Sequence, residues 1–106
     1  MSQIIIIYSL QDGVSQADFE SWVKDHDHPT MRGLNRVKRF ETYRVTGLLM
    51  GDGVPSCSYV EIFDVPDLAG FTGEDMAKSA VQEILGKFMG FVKAPEFLIT
   101  EAIGPR

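Results

Sequence analysis

The order of strand-like and helix-like segments constrains the fold of this chain more than any other feature. Residues 4–10 are apolar on both alternating faces and rich in β-branched side chains, which predicts a strand buried from both sides. Residues 37–45 and 58–65 alternate in polarity on either side of the turn-rich segment GDGVPS, so they predict a hairpin with a long connection. Residues 97–103 alternate again and predict a last strand.

Two helices are predicted between these strands. The first begins at Ser15, which forms a capping-box-like pair with Asp18, and it is predicted to end before Pro29 because proline disfavours a helical conformation in the residue before it. Its positions i, i+3, i+4 and i+7 are Phe19, Trp22, Val23 and His26. The second helix is predicted over residues 74–92. Its apolar positions are Met76, Ala80, Ile84 and Phe88.

The resulting order, β-α-β-β-α-β, predicts an α+β fold of the ferredoxin-like kind: a four-stranded antiparallel sheet with both helices on one face. The length of 106 residues fits a single domain over residues 1–106. The other face of the sheet has no helix to cover it, although its residues are substantially apolar. We therefore expect two copies of the chain to pair through these faces as a homodimer.

Charge and composition exclude several classes of partner. The net charge of −5 argues against nucleic acid, because phosphate binding needs a basic surface. Half of the basic residues fall in residues 32–44, a segment that could bind an acidic small molecule or form a solvated strand face. The start of the chain, MSQIIIIYSLQD, has no basic n-region and is too short to span a membrane, so we expect a cytoplasmic protein that does not bind membranes.

The segment KDHDHPTMRG, residues 24–33, suggests either a metal site or acid/base catalysis. Histidines at i and i+2 of a helix point about 200° apart, so no metal is predicted at His26 and His28. His26 continues the apolar stripe, so it is predicted to face the layer between helix and sheet, either as a catalytic acid or base or as a structural histidine. Asp27 and His28 are further catalytic candidates, although at the helix exit they could instead cap a turn or face solvent.

Glu61 is the most informative acidic residue. It is predicted between Tyr59 and Phe63 on one face of a central strand, where burial disfavours the ionised carboxyl. Such a carboxyl suits proton transfer near neutral pH, so Glu61 is a candidate catalytic residue. The alternative is an ion pair with Arg39 or Arg44 across the hairpin.

Aromatic side chains could line a pocket for a flat ligand, although they could equally be core residues. The predicted substrate-binding residues are Tyr8, Trp22, Phe40, Tyr43, Tyr59, Phe88 and Arg39. Nothing in the chain resembles a phosphate loop, a nucleophile elbow or a nicotinamide-binding fingerprint.

The segment FESWVKDHDHPTMRGLNRVKRFETYRV, residues 19–45, resembles the dimeric α/β-barrel superfamily, and the resemblance extends over nearly the whole chain. More narrowly, it is similar to the RedY-like proteins of prodiginine and related pyrrole or indole pigment pathways. Superfamily members often carry a histidine two residues before this proline, where this chain has Asp27. The resemblance implies a cofactor-free tailoring enzyme that acts on an aromatic heterocyclic small molecule, with its site between the helices and the sheet of each protomer.

Three functions remain open from the sequence. The first is a cyclase or related tailoring enzyme that uses His26 and Glu61 for proton transfer. The second is a binding or chaperone module that holds a hydrophobic pathway intermediate. The third is a cofactor-free monooxygenase of the antibiotic-biosynthesis type, for which Trp22 is suitable but no accompanying asparagine is evident.

Overall fold

A computed structural model describes residues 2–104 and confirms the predicted α+β, ferredoxin-like fold. Four antiparallel strands form one sheet in the order β2-β3-β1-β4. The strands are β1 (Ser2–Leu10), β2 (Arg39–Arg44), β3 (Tyr59–Asp64) and β4 (Val92–Glu101). The helical elements are α1 (Gln16–Trp22), a π-helical turn (Val23–Asp27), α2 (His28–Arg32), α3 (Leu68–Gly73), a 3₁₀ turn (Asp75–Ala77) and α4 (Ser79–Phe91). None of the helices in residues 2–104 is both long enough and apolar enough to cross a membrane.

The first helical segment continues through Pro29, so the predicted end before this proline is wrong. The N-cap of α1 is as predicted, because the Ser15 side chain accepts a hydrogen bond from the Asp18 backbone N–H. His28 is helical, with φ −58° and ψ −50°, and its N–H donates to the Val23 carbonyl across the π-helical turn. Pro29 follows in the first turn of α2, where a missing N–H removes no obligatory hydrogen bond.

The predicted second helix is shorter than expected. It begins at Ser79 rather than at residue 74, because the preceding segment forms a 3₁₀ turn and Lys78 is extended. Asp75 holds this turn: its carboxyl is buried and forms ion pairs with Arg36 and with Lys78. The structure adds α3, whose N-cap Asp67 accepts a hydrogen bond from the Gly70 N–H. Strand β4 starts at Val92, directly after α4, and so is longer than predicted.

The register of β1 and β3 divides the sheet into two faces. Ile6 pairs with Glu61, and the residues two positions along each strand share that face with them. The helices cover this face, which carries the buried core: Ile6, Tyr8, Phe40, Tyr59 and Phe63, packed against Phe19, Val23, Met31, Phe71, Val81 and Phe88. The opposite face is open and its apolar side chains are half-buried or exposed: Ile5, Ile7, Val60, Ile62 and Leu98.

Candidate active site

A cavity of about 480 Å³ lies between the covered face of the sheet and helices α2, α3 and α4. This volume is in the range of small-molecule sites. Within residues 2–104, Asp27 is the one ionisable side chain that lines it. The other lining residues are Ile4, Ile6, Met31, Phe63, Leu68, Phe71, Thr72, Met76, Val81, Ile84, Leu85, Phe88, Met89, Phe97 and Ile99.

The π-helical turn decides which residue of the His26-Asp27-His28 segment faces this cavity. In a regular α-helix the position i+7 from Phe19 would be inward, and that position is His26. The i→i+5 ring of the π-helical turn contains one residue more, so the inward position moves to Asp27. The buried residues therefore follow at intervals of four: Phe19, Val23, Asp27 and Met31.

His26 is exposed to solvent, so the prediction that it faces the layer between helix and sheet is wrong. The same shift takes Asp27 from the helix exit to the wall of the cavity. The four-residue spacing from Phe19 to Met31 was the signal that could have identified Asp27, because a stripe with this spacing drifts around a regular α-helix and needs a wider turn to stay on one side.

The Asp27 carboxyl is buried, and no hydrogen-bond donor among residues 2–104 holds its charge. Its side chain is 3% exposed, and burial raises its pKa to about 7, opposed by the positive charge of Arg32. No hydrogen bond contributes to this pKa shift. Close to neutral pH, Asp27 can therefore accept a proton from a bound molecule or donate one to it.

Glu61 lies beside this site on strand β3 and is 2% exposed. Burial raises its pKa to about 8, with a further contribution from the negative charge of Asp27. The Tyr8 hydroxyl donates a hydrogen bond of 2.5 Å to Oε2 of Glu61, and this hydrogen bond lowers the pKa of Glu61. The predicted burial of Glu61 is thus confirmed. The alternative ion pair is not observed, because Arg44 binds Glu20 instead.

Tyr8 connects the buried carboxyl to the aromatic wall of the cavity. Its ring meets the ring of Phe88, a cavity residue, edge to face at 4.9 Å, and stacks on Tyr59 at 5.5 Å. Burial, together with the neighbouring Glu61 carboxylate, raises the pKa of Tyr8. The phenol therefore stays protonated and serves as a fixed donor to Glu61.

His28 is half-buried on α2 and has a different set of neighbours from Asp27. Its Nε2 lies 2.9 Å from Oγ1 of Thr42, and its ring meets Phe40 edge to face at 4.9 Å. Burial lowers the pKa of His28, so the neutral imidazole is favoured. Across residues 2–104, no group of three or more His, Cys, Asp and Glu side chains is arranged to hold a metal ion.

The predicted substrate-binding residues lie in several different places. Phe88 lines the cavity, whereas Phe40 is buried behind it and stacks on Phe63 with ring centroids 3.9 Å apart. Arg39 and Tyr43 do not line the cavity as predicted, because they lie on the open face of the sheet. There the Arg39 guanidinium donates to the Tyr43 hydroxyl, and the tyrosine is 44% exposed.

The remaining two predicted residues, Tyr59 and Trp22, are not part of the cavity wall. Tyr59 is buried beneath α1 and donates a hydrogen bond to Glu20 at 2.7 Å. Trp22 is half-buried against Phe91, with ring centroids 5.2 Å apart. Both residues therefore support the packing of α1 on the sheet and on α4.

Comparisons with known proteins agree with this architecture. Residues 2–103 match the model of a family described as REDY-like protein HapK. HapK from Hahella chejuensis is 33% identical in sequence, with a TM-score of 0.78, and the alignment covers 100% of this chain and 96% of that protein. The chain matches no curated protein sequence.

More distant structures share the fold alone. SnoaB, a cofactor-independent oxygenase from Streptomyces nogalater, is 15% identical with a TM-score of 0.76, and the alignment covers 98% of this chain and 94% of SnoaB. A protein of Arabidopsis thaliana is 14% identical with a TM-score of 0.79, covering 100% of this chain and 99% of that one.

The helix-covered ferredoxin-like sheet with its internal apolar cavity is the architecture of the dimeric α/β-barrel superfamily. Within that class, the chain belongs to the REDY-like HapK family. The predicted family resemblance is therefore confirmed.

Proposed function

We propose that the protein is a cofactor-free enzyme that moves a proton on an aromatic pyrrole- or indole-type intermediate of prodiginine or related pigment biosynthesis, in a cyclase-like reaction. The observation that carries the proposal is the Asp27 carboxyl, which lines an apolar cavity and has a pKa of about 7. A general acid or base works best when its pKa is close to the operating pH. Membership of the HapK family supports the substrate class.

A cyclisation of this kind needs one proton acceptor at the ring. When a ring carbon of a pyrrole attacks the carbon of an iminium or protonated carbonyl group, a carbon–carbon bond forms, the π electron pair of that group moves to its nitrogen or oxygen, and the pyrrole ring becomes cationic. Loss of the proton from that ring carbon restores aromaticity, and the Asp27 carboxylate accepts this proton. Glu61, fixed by the Tyr8 hydroxyl, acts as a positioning residue, because the two carboxyls are electrostatically coupled: the charge of Asp27 raises the pKa of Glu61.

The proposal is tested by ring-proton exchange, which needs no second substrate. With 2,4-dimethylpyrrole as the probe in D₂O, we expect the protein to accelerate exchange of the ring C–H, measured by NMR. Asp27→Asn is expected to lower the rate by about 10²–10⁴, the range for a positioned proton-transfer group. The matched control is Asp25→Asn, the same substitution at an exposed position of the same turn.

A wild-type protein that binds the probe without accelerating exchange would contradict the enzyme proposal. That result would favour the second function, a binding or chaperone module for a hydrophobic intermediate. Monooxygenase activity has less support, because the Trp22 indole does not line the cavity of the described residues. It predicts oxygen consumption with substrate, which an oxygen electrode measures.

The same proposal includes a cytoplasmic homodimer of one-domain chains. The open face of the sheet supports it, because half-buried apolar residues such as Ile5, Ile7 and Ile62 have no helix above them. Structural neighbours are described as dimeric proteins with a ferredoxin-like fold. An obligate interface of this kind buries roughly 2,000 Å² or more. Sedimentation at low micromolar concentration should show a dimer, and a stable monomer would contradict this part of the proposal.

A further inference from the structure

We infer that the cavity selects flat aromatic cations over neutral or anionic molecules of the same shape. This inference rests on the proposed function, because the Asp27 carboxyl that accepts the proton is also the group that would recognise the positive charge. The charge of the bound aromatic ligand is what this adds to the proton-transfer proposal.

The first argument is the charge of the cavity wall. Asp27 lines the cavity, Glu61 is buried beside it, and no basic side chain of residues 2–104 is part of the wall. The nearest basic group acting on Asp27 is Arg32, whose guanidinium donates to the Phe40 carbonyl at 3.0 and 2.7 Å and pairs with Glu41 at 3.5 Å. An anionic ligand would therefore meet acidic groups and no free cationic partner.

The second argument is the burial of Asp27 itself. An ionised carboxylate in an apolar environment is unfavourable unless a cation or a hydrogen-bond donor compensates it. No hydrogen bond from residues 2–104 contributes to the pKa of Asp27, and the negative charge of Asp27 raises the pKa of the neighbouring Glu61. A cationic ligand would compensate both carboxyls, whereas a neutral hydrocarbon of the same shape would seal Asp27 away from water without a partner.

The third argument is the aromatic wall. Four phenylalanine rings line the cavity: Phe63, Phe71, Phe88 and Phe97. The faces of aromatic rings attract cations, and the attraction is stronger when the pair is desolvated. An aromatic cation can therefore stack on these rings and contact Asp27 at the same time. A pyrrole ring acquires the same positive charge when it is protonated or attacks an electrophile.

The cavity opens to solvent on one side. Met89 on α4 and Phe97 and Ile99 on the edge strand β4 line it and are themselves exposed, which places the mouth between these two elements. The mouth is apolar, so a flat ring system can enter there with its faces against aliphatic and aromatic side chains.

Three probes of nearly equal shape test this inference: N-methylquinolinium, a permanent cation, 1-methylnaphthalene, its neutral isostere, and 1-naphthoate, an anion. Dissociation constants are measured by calorimetry at about pH 8, above the pKa of Asp27, so that this carboxyl is ionised. We expect the cation to bind at least about 10-fold more tightly than the neutral isostere, the effect of one compensated charge. Binding of the anion should be undetectable.

Two variants assign the selectivity to Asp27. Asp27→Asn should bring the affinities for the cation and the neutral isostere within about two-fold of each other, whereas Asp25→Asn should keep the wild-type ratio, because a substitution at an exposed position of the same turn leaves the cavity unchanged. Equal binding of cation and isostere by the wild type, or tighter binding of naphthoate, would overturn the inference.

Failure of this inference can be distinguished from failure of the proposed function. If Asp27→Asn abolishes ring-proton exchange while the wild type does not prefer the cation, then proton transfer stands and charge selection is wrong. If the wild type prefers the cation but Asp27→Asn exchanges protons at the normal rate, then charge selection stands and the catalytic role is wrong.

Discussion

The two buried carboxyls beside the cavity are held by different kinds of backbone. Glu61 lies on the central strand β3, between two hydrogen-bonded neighbours, and its carboxyl accepts the Tyr8 hydroxyl. Asp27 lies on a π-helical turn, and none of the residues that the structure describes donates a hydrogen bond that affects its pKa. Burial raises the pKa of both carboxyls, yet one is fixed by its surroundings and the other faces an open cavity.

This difference separates a group that stores a proton from a group that can exchange one. The strand fixes the direction of Glu61, because every second residue of β3 must face the helices. The π-helical turn adds a residue to a helix and thereby selects which side chain points inward. The carboxyl that lines the cavity is therefore placed by the more adjustable of the two elements.

The largest expected effect comes from deleting one residue of strand β3, and deletion of one residue of the π-helical turn is the comparison. Deletion of Val60 would reverse the faces of the following residues and move Glu61 and Phe63 to the open face. We expect a loss of more than about 4 kcal/mol in the free energy of unfolding, measured by urea denaturation or seen as insoluble protein. Deletion of the exposed Lys24 should convert the π-helical turn into a regular α-helix and leave the protein folded. Unfolding of the Lys24 deletion would contradict the contrast between the two elements.

The next effect is a dependence of stability on pH. The pKa values of Asp27 and Glu61, about 7 and about 8, lie above the unfolded values of about 3.9 and about 4.3. The folded state therefore binds more protons between about pH 4 and about pH 8, so these groups lower the free energy of unfolding as the pH rises through that window.

Replacing one of these carboxyls by a neutral amide removes its contribution to the pH dependence of stability. The free energy of unfolding of each variant, Asp27→Asn and Glu61→Gln, should rise relative to that of the wild type by roughly 2–4 kcal/mol between about pH 4 and about pH 8. Urea denaturation at several pH values measures this difference. Asp25→Asn is the matched control for the first variant, since residue 25 is exposed. A difference from wild type that stays constant over this range would contradict the raised pKa values.

A smaller effect is expected when the hydroxyl of Tyr8 is removed. Tyr8→Phe keeps the ring that packs on Tyr59 and Phe88 but leaves Glu61 without its donor. We expect a loss of about 1–3 kcal/mol in stability, the usual cost of an unsatisfied buried group. The ring-exchange rate should fall by only about 10-fold, less than for Asp27→Asn, because Tyr8 acts on the reactive carboxyl through Glu61. A rate loss as large as that of Asp27→Asn would make Tyr8 part of the chemistry.

The smallest effect is expected at His26, the exposed neighbour of Asp27 on the same turn. His26→Ala should change the free energy of unfolding by no more than about 0.5 kcal/mol, as is usual for surface positions. The ring-exchange rate should stay within about two-fold of wild type. A large loss of activity would mean that the buried stripe of Phe19, Val23 and Asp27 does not identify the side chain that transfers the proton.

The strands were predictable because their period of two leaves little freedom. Once Tyr59 and Phe63 are assigned to the core, Glu61 must share their face, and the structure agrees. The helix was less predictable, because its period depends on the hydrogen-bonding pattern. Regular α-helical spacing placed His26 inward, whereas the π-helical turn places Asp27 there.

Long-range pairs were the other part that local patterns could not predict. Arg44 binds Glu20 rather than Glu61, and Asp75 is buried against Arg36, which lies 39 positions earlier in the chain. These partners depend on how helices pack on the sheet. Arg39 and Tyr43 show the same limit. The alternation of side chains along β2 was evident from the sequence, but the pairing of β2 with β3 determines which of its residues face the helices.

The contact between Trp22 and Phe91 gives the protein a built-in optical reporter. The sequence contains one tryptophan, and its indole lies where the first helical segment meets the end of α4, directly before the π-helical turn. Indole emission changes wavelength when the ring passes from a half-buried to a hydrated environment. Unlabelled wild-type protein therefore allows the separation of these two elements to be followed in real time by fluorescence, with no engineered probe near the cavity.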